Sequence, residues 1–314
     1  MWMKILQRLF LLCVMMLIVS VAAFLAPVAS GGDPARAILM AHTGDPNLDP
    51  AAVEALKVEL GLDRPMVEQY FVWLGNAVQG DFGKSFASKQ PVMGEIARAL
   101  SVSVTLALSA LAIAIAAALP LGTAAAMRPG GRTDGAVTLM IQTLVAVPEY
   151  WFAPILILVF ALHLGVLPSA GWQGPASVVL PAFALSLRPM PYFTQITRAS
   201  MREVLGAAYI TAARARGLSA NQTVIRHGVR NGSIPVVTFF TLWFASLLGG
   251  AVVIEVIFAI PGMGRLFYQA VINKDLPVLQ GAFVSIVCLT IAINTLCDVV
   301  CNILNPAMRD AHAR

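Results

Sequence analysis

Long apolar stretches with at most a single charge, rather than the three-to-four-residue beat of a soluble amphipathic helix, dominate this chain. Six of them, residues 9–29, 99–127, 137–163, 178–197, 234–258 and 277–304, are long enough to cross a bilayer core, which takes a helix of roughly 20 residues. The second holds no charged residue at all. The third carries Pro148, Glu149 and Pro154, and the fourth Arg188, Pro189 and Pro191. The first exceeds the apolar core of 7–15 residues usual in a cleaved signal peptide, so it is expected to remain as a helix.

Between the first two spans lies a polar segment, residues 30–98, with its own helix signals. Asp49 is a fitting N-cap, Pro50 suits the first helical position, and Gly61 follows the last periodic residue. Residues 65–78 predict a second helix, with Tyr70, Phe71 and Trp73 as packing or interfacial residues. Further on, Gly83-Lys84-Ser85 has the look of a phosphate-binding loop. Such a loop needs a glycine five residues before its second one, so that backbone N–H groups wrap the phosphates. Val78 stands there, and no strand pattern precedes it. Gly80 and Gly83 are expected instead to shape a tight turn before the second span. The segment 204–216 is rich in helix formers, with Gly217 placed to stop the helix.

Composition supports a membrane chain: 58% of the residues are apolar and 12% are charged, about half the charged share of a soluble domain. The net charge of +5 does not point to nucleic acid, because the basic residues flank the apolar spans. Lys4, Arg8, Arg128, Arg132, Arg198, Arg202, Arg214, Arg216, Arg226, Arg230, Arg309 and Arg314 all fall on one side of a six-span path. Only Asp134, Glu203 and Asp310 oppose them there. The positive-inside rule then puts both termini in the cytoplasm and residues 30–98 outside. Cys13, Cys288, Cys297 and Cys301 sit within apolar spans and are expected to pack as small apolar residues. His42, His163, His227 and His312 are too scattered for a metal motif.

Two charges at membrane depth are candidate chemistry. Glu149 is expected near the middle of the third span, on one face with Thr138 and Gln142; Arg188 is expected near the middle of the fourth, on one face with Tyr192 and Gln195. Ionisable residues at such depth face a cavity or a partner. Two readings stand open: the charges pair structurally, with each other or with a partner subunit, or they line a translocation path, Arg188 meeting a carboxylate and Glu149 an amine or cationic centre.

The basic loop between the fourth and fifth spans, about residues 198–233, is too long for a mere connector. Small residues Ala212, Ala213 and Ala215 leave a shallow surface that another protein can approach closely, or that can lie on lipid headgroups. Here the chain closely resembles the inner-membrane permease subunits of bacterial ABC importers, in the dipeptide/oligopeptide/nickel branch. Tyr209, Ile210, Thr211, Ala212, Ala213, Arg214, Ala215, Arg216, Gly217 and Leu218 are similar to that branch's EAA loop, with Thr211 where the general pattern has Glu. Gly80-Asp81-Phe82-Gly83, Pro148-Glu149-Tyr150-Trp151, Glu255-Val256-Ile257-Phe258, Pro261-Gly262-Met263-Gly264 and Asn305-Pro306 are also family-like, although the family usually has Asp where Asn305 stands.

The resemblance implies an all-α polytopic protein with six transmembrane helices, the type I importer permease fold, and an extracytoplasmic segment between helices 1 and 2. The division is 1–29 as first helix, 30–98 outside and 99–314 as permease core. It further implies a homologous second permease subunit, two ATPase subunits or domains docked on the loop, and an extracytoplasmic solute-binding protein. The binding protein is expected to meet residues 33–89 and 259–275. ATP and Mg would be held by the partners and no cofactor by this chain, which would itself catalyse nothing. The cargo would be di- or oligopeptides, nickel or a metal chelate. The alternative is a secondary transporter working without an ATPase; such carriers often show internal repeats, and none is visible here.

Overall fold

The computed structural model describes residues 14–25, 34–43, 47–59 and 61–304. Among these the secondary structure is helical apart from one isolated antiparallel bridge between Lys84 and Pro91. The ends of the first predicted span, Asn305 and the C-terminal basic residues lie outside the described residues. The chain divides into two compact units, Met1–Val102 with Gly262–Thr290, and Ser103–Pro261 with Ile291–Arg314.

The first unit contains α1 (Val14–Leu25), α2 (Pro34–Thr43), α3 (Pro50–Glu59), α4 (Met66–Val78), the start of α5 (Val92–Met127), α15 (Met263–Ile272) and most of α16 (Leu276–Leu304). Helix α3 begins as expected: Asp49 Oδ1 accepts from Ala51 N–H at 3.0 Å, and Gly61 follows the helix with φ of 68°. The aromatic residues of α4 are packing residues. Tyr70 packs edge-to-face and Trp73 tilted against Phe24 of α1, at ring distances of 5.5 and 5.9 Å, and the Tyr70 hydroxyl shares a 2.7 Å hydrogen bond with Ser20. Val92, Ile96 and Ala99 of α5 bury against Met263, Ala270, Val278 and Ala282. Gly281 permits this approach, since a Cβ there would stand 2.7 Å from Ile96 Cδ1.

The Gly83-Lys84-Ser85 stretch forms a small hairpin held by its own backbone hydrogen bonds. Ser85 N–H donates to Gln90 at 3.0 Å and Val92 N–H to Gly83 at 3.0 Å. Asp275 anchors it from below, accepting from Ser85 Oγ at 2.5 Å and from Ala87 N–H at 3.2 Å. The same carboxylate reaches Val278 N–H at 3.5 Å as N-cap of α16, with Pro277 in the first turn.

The second unit holds the rest of α5, then α6 (Arg132–Ala146), α7 (Glu149–Leu156) running on as π-helix through Ile157–His163, α8 (Pro175–Ser186), α9 (Met190–Leu205), α10 (Ala208–Ala215), α11 (Ala220–Thr223), a π-turn at Val224–Gly228, α12 (Val229–Gly232), α13 (Ile234–Gly250) and α14 (Val252–Ile257). Here the sequence expectation needs correction. The third span is not one helix: α6 and the α7 segment meet at 92°. Val147, pushed to extended φ/ψ of −98° and 123° by the following Pro148, makes the corner. The fourth span is interrupted between Ser186 and Met190, where Pro189 and Pro191 supply no N–H to continue the ladder. The fifth breaks at Ala251, and the expected helix 204–216 breaks at Gly206 and Ala207.

By length and composition, α5 and Leu276–Thr295 of α16 are each able to cross a membrane, and the bent pair α6–α7 passes the same test only with its two arms taken together, as a broken span or a re-entrant loop. Val14–Leu25, Pro175–Ser186 and Pro235–Gly250 are shorter apolar helices.

Candidate functional site: three helix breaks and a charge clamp

Three interruptions of the second unit converge on one ion pair. Glu149 opens α7 just beyond the Pro148 corner, and Arg188 occupies the gap between α8 and α9. Arg188 Nη1 lies 3.3 Å from Glu149 Oε1. The end of α13 completes the arrangement, since a Cβ on Gly250 would stand 3.6 Å from the same Arg188 nitrogen. Neither charge is therefore mid-helix, as the sequence pattern had it; both stand at broken ends. Broken helices at membrane depth leave backbone groups that are tolerated only within protein or beside a water-filled cavity.

The pair is not sealed. The Arg188 side chain is 46% exposed and that of Glu149 21%, and a guanidinium carries five N–H donors. Tyr192 and Gln195 are exposed on the following turns of α9, and the Tyr192 ring packs on Trp243 of α13 at 5.0 Å. Arg188, Tyr192 and Gln195 thus stay in succession along one accessible edge. The expected group of Thr138, Gln142 and Glu149 does not hold, because the corner intervenes. Thr138 Oγ1 instead accepts from Arg198 Nη1 at 3.1 Å, and Gln142 is exposed on α6 before the turn.

The candidate coupling loop is built around α10. Gly217 ends it with φ of 91°; Leu218 N–H donates to Ala213 at 3.4 Å and Gly217 N–H to Arg214 at 2.9 Å, a Schellman closure. Ser219 and Gln222 then start the next turn with reciprocal hydrogen bonds of 3.3 and 3.1 Å. Tyr209, Thr211, Ala212, Arg214, Ala215, Arg216 and Gly217 are exposed. Ala213 is not: it is buried with Ile210 inside this chain. The small surface that the sequence attributes to Ala212, Ala213 and Ala215 is therefore carried by Ala212 and Ala215.

Two buried carboxylates belong to the second unit, and of these Asp134 gave no strong sequence signal. Glu255 of α14 is fully buried and accepts from Ser103 Oγ at 2.5 Å. Asp134, in the first turn of α6, is buried and gathers Arg198 Nη2 at 2.5 Å, Arg202 Nη2 at 2.8 Å and the Gly130 N–H at 2.9 Å. The available clue was an acid among many bases, with Arg198 and Arg202 one turn apart.

This arrangement of short and broken helices is that of ABC importer permeases. It aligns with the solved MetNI methionine ABC transporter in inward-facing conformations, with a TM-score of 0.57 at 20% identity, covering 68% of this chain and 97% of that one. Residues 118–310 match the binding-protein-dependent transport system inner membrane component family, and residues 1–108 match the N-terminal membrane component of the same systems. The glutathione transport system permease protein GsiC of Escherichia coli K12 is 35% identical over 305 residues, 97% of this chain and 98% of its own. The oligopeptide transport system permease protein AppB of Bacillus subtilis is 33% identical over 299 residues, 92% and 93% of the two chains. The chain belongs to the inner-membrane component family of binding-protein-dependent transport systems, as the permease subunit of an ATP-driven importer.

Proposed function

We propose that this permease carries di- or oligopeptides through a path lined by Glu149, Arg188, Tyr192 and Gln195. The observation that carries the reading is the meeting of three helix breaks at the Glu149–Arg188 pair. A peptide brings an amine and a carboxylate. It can exchange one internal ion pair for two with the protein, Arg188 taking its carboxylate and Glu149 its amine. Charge-assisted hydrogen bonds of this kind are roughly twice as strong as neutral ones. The peptide and glutathione names of the relatives support the same cargo class.

A homologous second permease subunit completes the path. Two ATPase subunits dock on the exposed face of α10, at Tyr209, Thr211, Ala212, Ala215 and Arg216, and hold the ATP and Mg; this chain hydrolyses nothing. An extracytoplasmic binding protein delivers the peptide to the 33–89 segment. The chain crosses the cytoplasmic membrane six times with both termini inside.

Arg188→Ala, Glu149→Gln and the double variant test the path in reconstituted complexes. Expected are near-wild-type thermal stability and basal ATP hydrolysis, with peptide uptake reduced at least roughly tenfold in each single variant, as for loss of a charged hydrogen bond of about 1.5–3 kcal/mol. Normal uptake in both singles overturns the reading. Lost stability in the singles with recovery in the double assigns the pair a structural role only.

A further inference from the structure

Helices α6 and α9 run antiparallel and are bracketed by charge at both ends. At one end Glu149, just past α6, meets Arg188, just before α9. At the other, Asp134 in the first turn of α6 meets Arg198 and Arg202 in the last turns of α9. Between them Arg198 also donates to Thr138 of α6. The cytoplasmic end of α9 is gripped on further sides. A Cβ on Gly122 of α5 would stand 2.7 Å from Thr197 Cβ and 2.8 Å from the Thr194 carbonyl oxygen. Met201 packs so closely on α12 that a Cβ on Gly232 would stand 2.5 Å from its Sδ. Immediately after this grip the chain passes through Gly206 and Ala207 into α10.

We infer that Asp134 is a positioning residue for transport: its clamp on Arg198 and Arg202 makes α6 and α9 move as one lever, joining the α10 coupling helix to the Glu149–Arg188 pair. The chemistry favours a clamp over an incidental contact. The carboxylate is buried and receives two guanidinium groups and a backbone N–H, so nothing in water replaces those partners when it slides. Energetic coupling between distant sites needs elements that move together between discrete arrangements. Without the clamp, α10 displaces α9 alone, α6 with its Pro148 corner stays behind, and the pair at the far end is no longer opened by the ATPase stroke. The inference rests on the reading of α10 as the docking element.

The experiment uses the full complex with its ATPases and loaded binding protein, reading basal ATP hydrolysis, its stimulation by the loaded binding protein, and peptide uptake per ATP. Asp134→Asn is expected to assemble and keep basal hydrolysis while uptake per ATP falls at least tenfold; Asp134→Glu is expected to restore most of it. Arg202→Gln, which leaves Arg198 on the carboxylate, is expected to fall about threefold. Wild-type uptake per ATP in Asp134→Asn overturns the inference. Should that variant not assemble, Arg202→Gln decides: a reduced ratio supports the lever and an unchanged ratio overturns it. Ala212→Leu, on the exposed face of α10, tests the docking reading separately: unchanged ATPase capture and stimulated hydrolysis in that variant sink the docking reading, whereas an Asp134→Asn as coupled as the wild type sinks the lever alone.

Discussion

Neighbouring alanines on α10 have opposite duties. Ala213 is buried in its own chain, whereas Ala212 beside it is exposed. Alternation of this kind is invisible in a run of small residues, because alanine serves equally as core filler and as a surface for close approach. Substituting leucine at each position separates the roles. Ala213→Leu overpacks the loop and is expected to cost the permease about 1–3 kcal/mol, seen as a lower thermal midpoint before any partner is added. Ala212→Leu is expected to change chain stability by no more than about 0.5 kcal/mol, yet to weaken co-purification of the ATPase. Equal behaviour of the two variants in both measurements would contradict the assignment of faces.

Elements were legible in the sequence where their punctuation is local. The cap at Asp49, the stop at Gly61, the Gly217 closure of α10 and the turn glycines before α5 all follow from residues within a few positions of each other. The broken spans were only half legible. Prolines at 148, 189 and 191 announce distortion, but whether a proline kinks a helix or ends it depends on what packs around the freed carbonyls. The α6–α7 corner shows the stronger outcome. The partners of Asp134, Glu255 and Asp275 were hidden for another reason: each bond spans a large sequence separation, 190 residues for Ser85 with Asp275. Asp275 offers a test at this scale, since one side chain caps α16 and holds the 83–92 hairpin. Asp275→Ala is expected to cost about 1 kcal/mol for the cap and a further 1–3 kcal/mol for the buried Ser85 hydroxyl left without its acceptor. Asp275→Asn, with one oxygen remaining, is expected to lose less. Hydrogen exchange at Ser85 and Val92 should quicken in the alanine variant well before the rest of α5; unchanged exchange there would show that the hairpin stands without its anchor.

The whole chain is a membrane component whose class was readable from uncharged length and from the placement of arginines, while its working arrangement was not, because that depends on where long apolar runs stop being straight. The Glu149–Arg188 pair has a consequence at this scale. Its two charges cancel, so the pair can shift across the bilayer without electrical work. A lone charge would feel about 2.3 kcal/mol for each 100 mV it traverses. Uptake of a net-neutral peptide by the wild-type importer is therefore expected to be indifferent to an imposed membrane potential, as measured in proteoliposomes clamped with a potassium gradient and ionophore. Arg188→Ala strands a negative charge, and its residual uptake should speed or slow with the sign of the potential. The neutral pair itself thus gives the membrane's stored voltage nothing to act on.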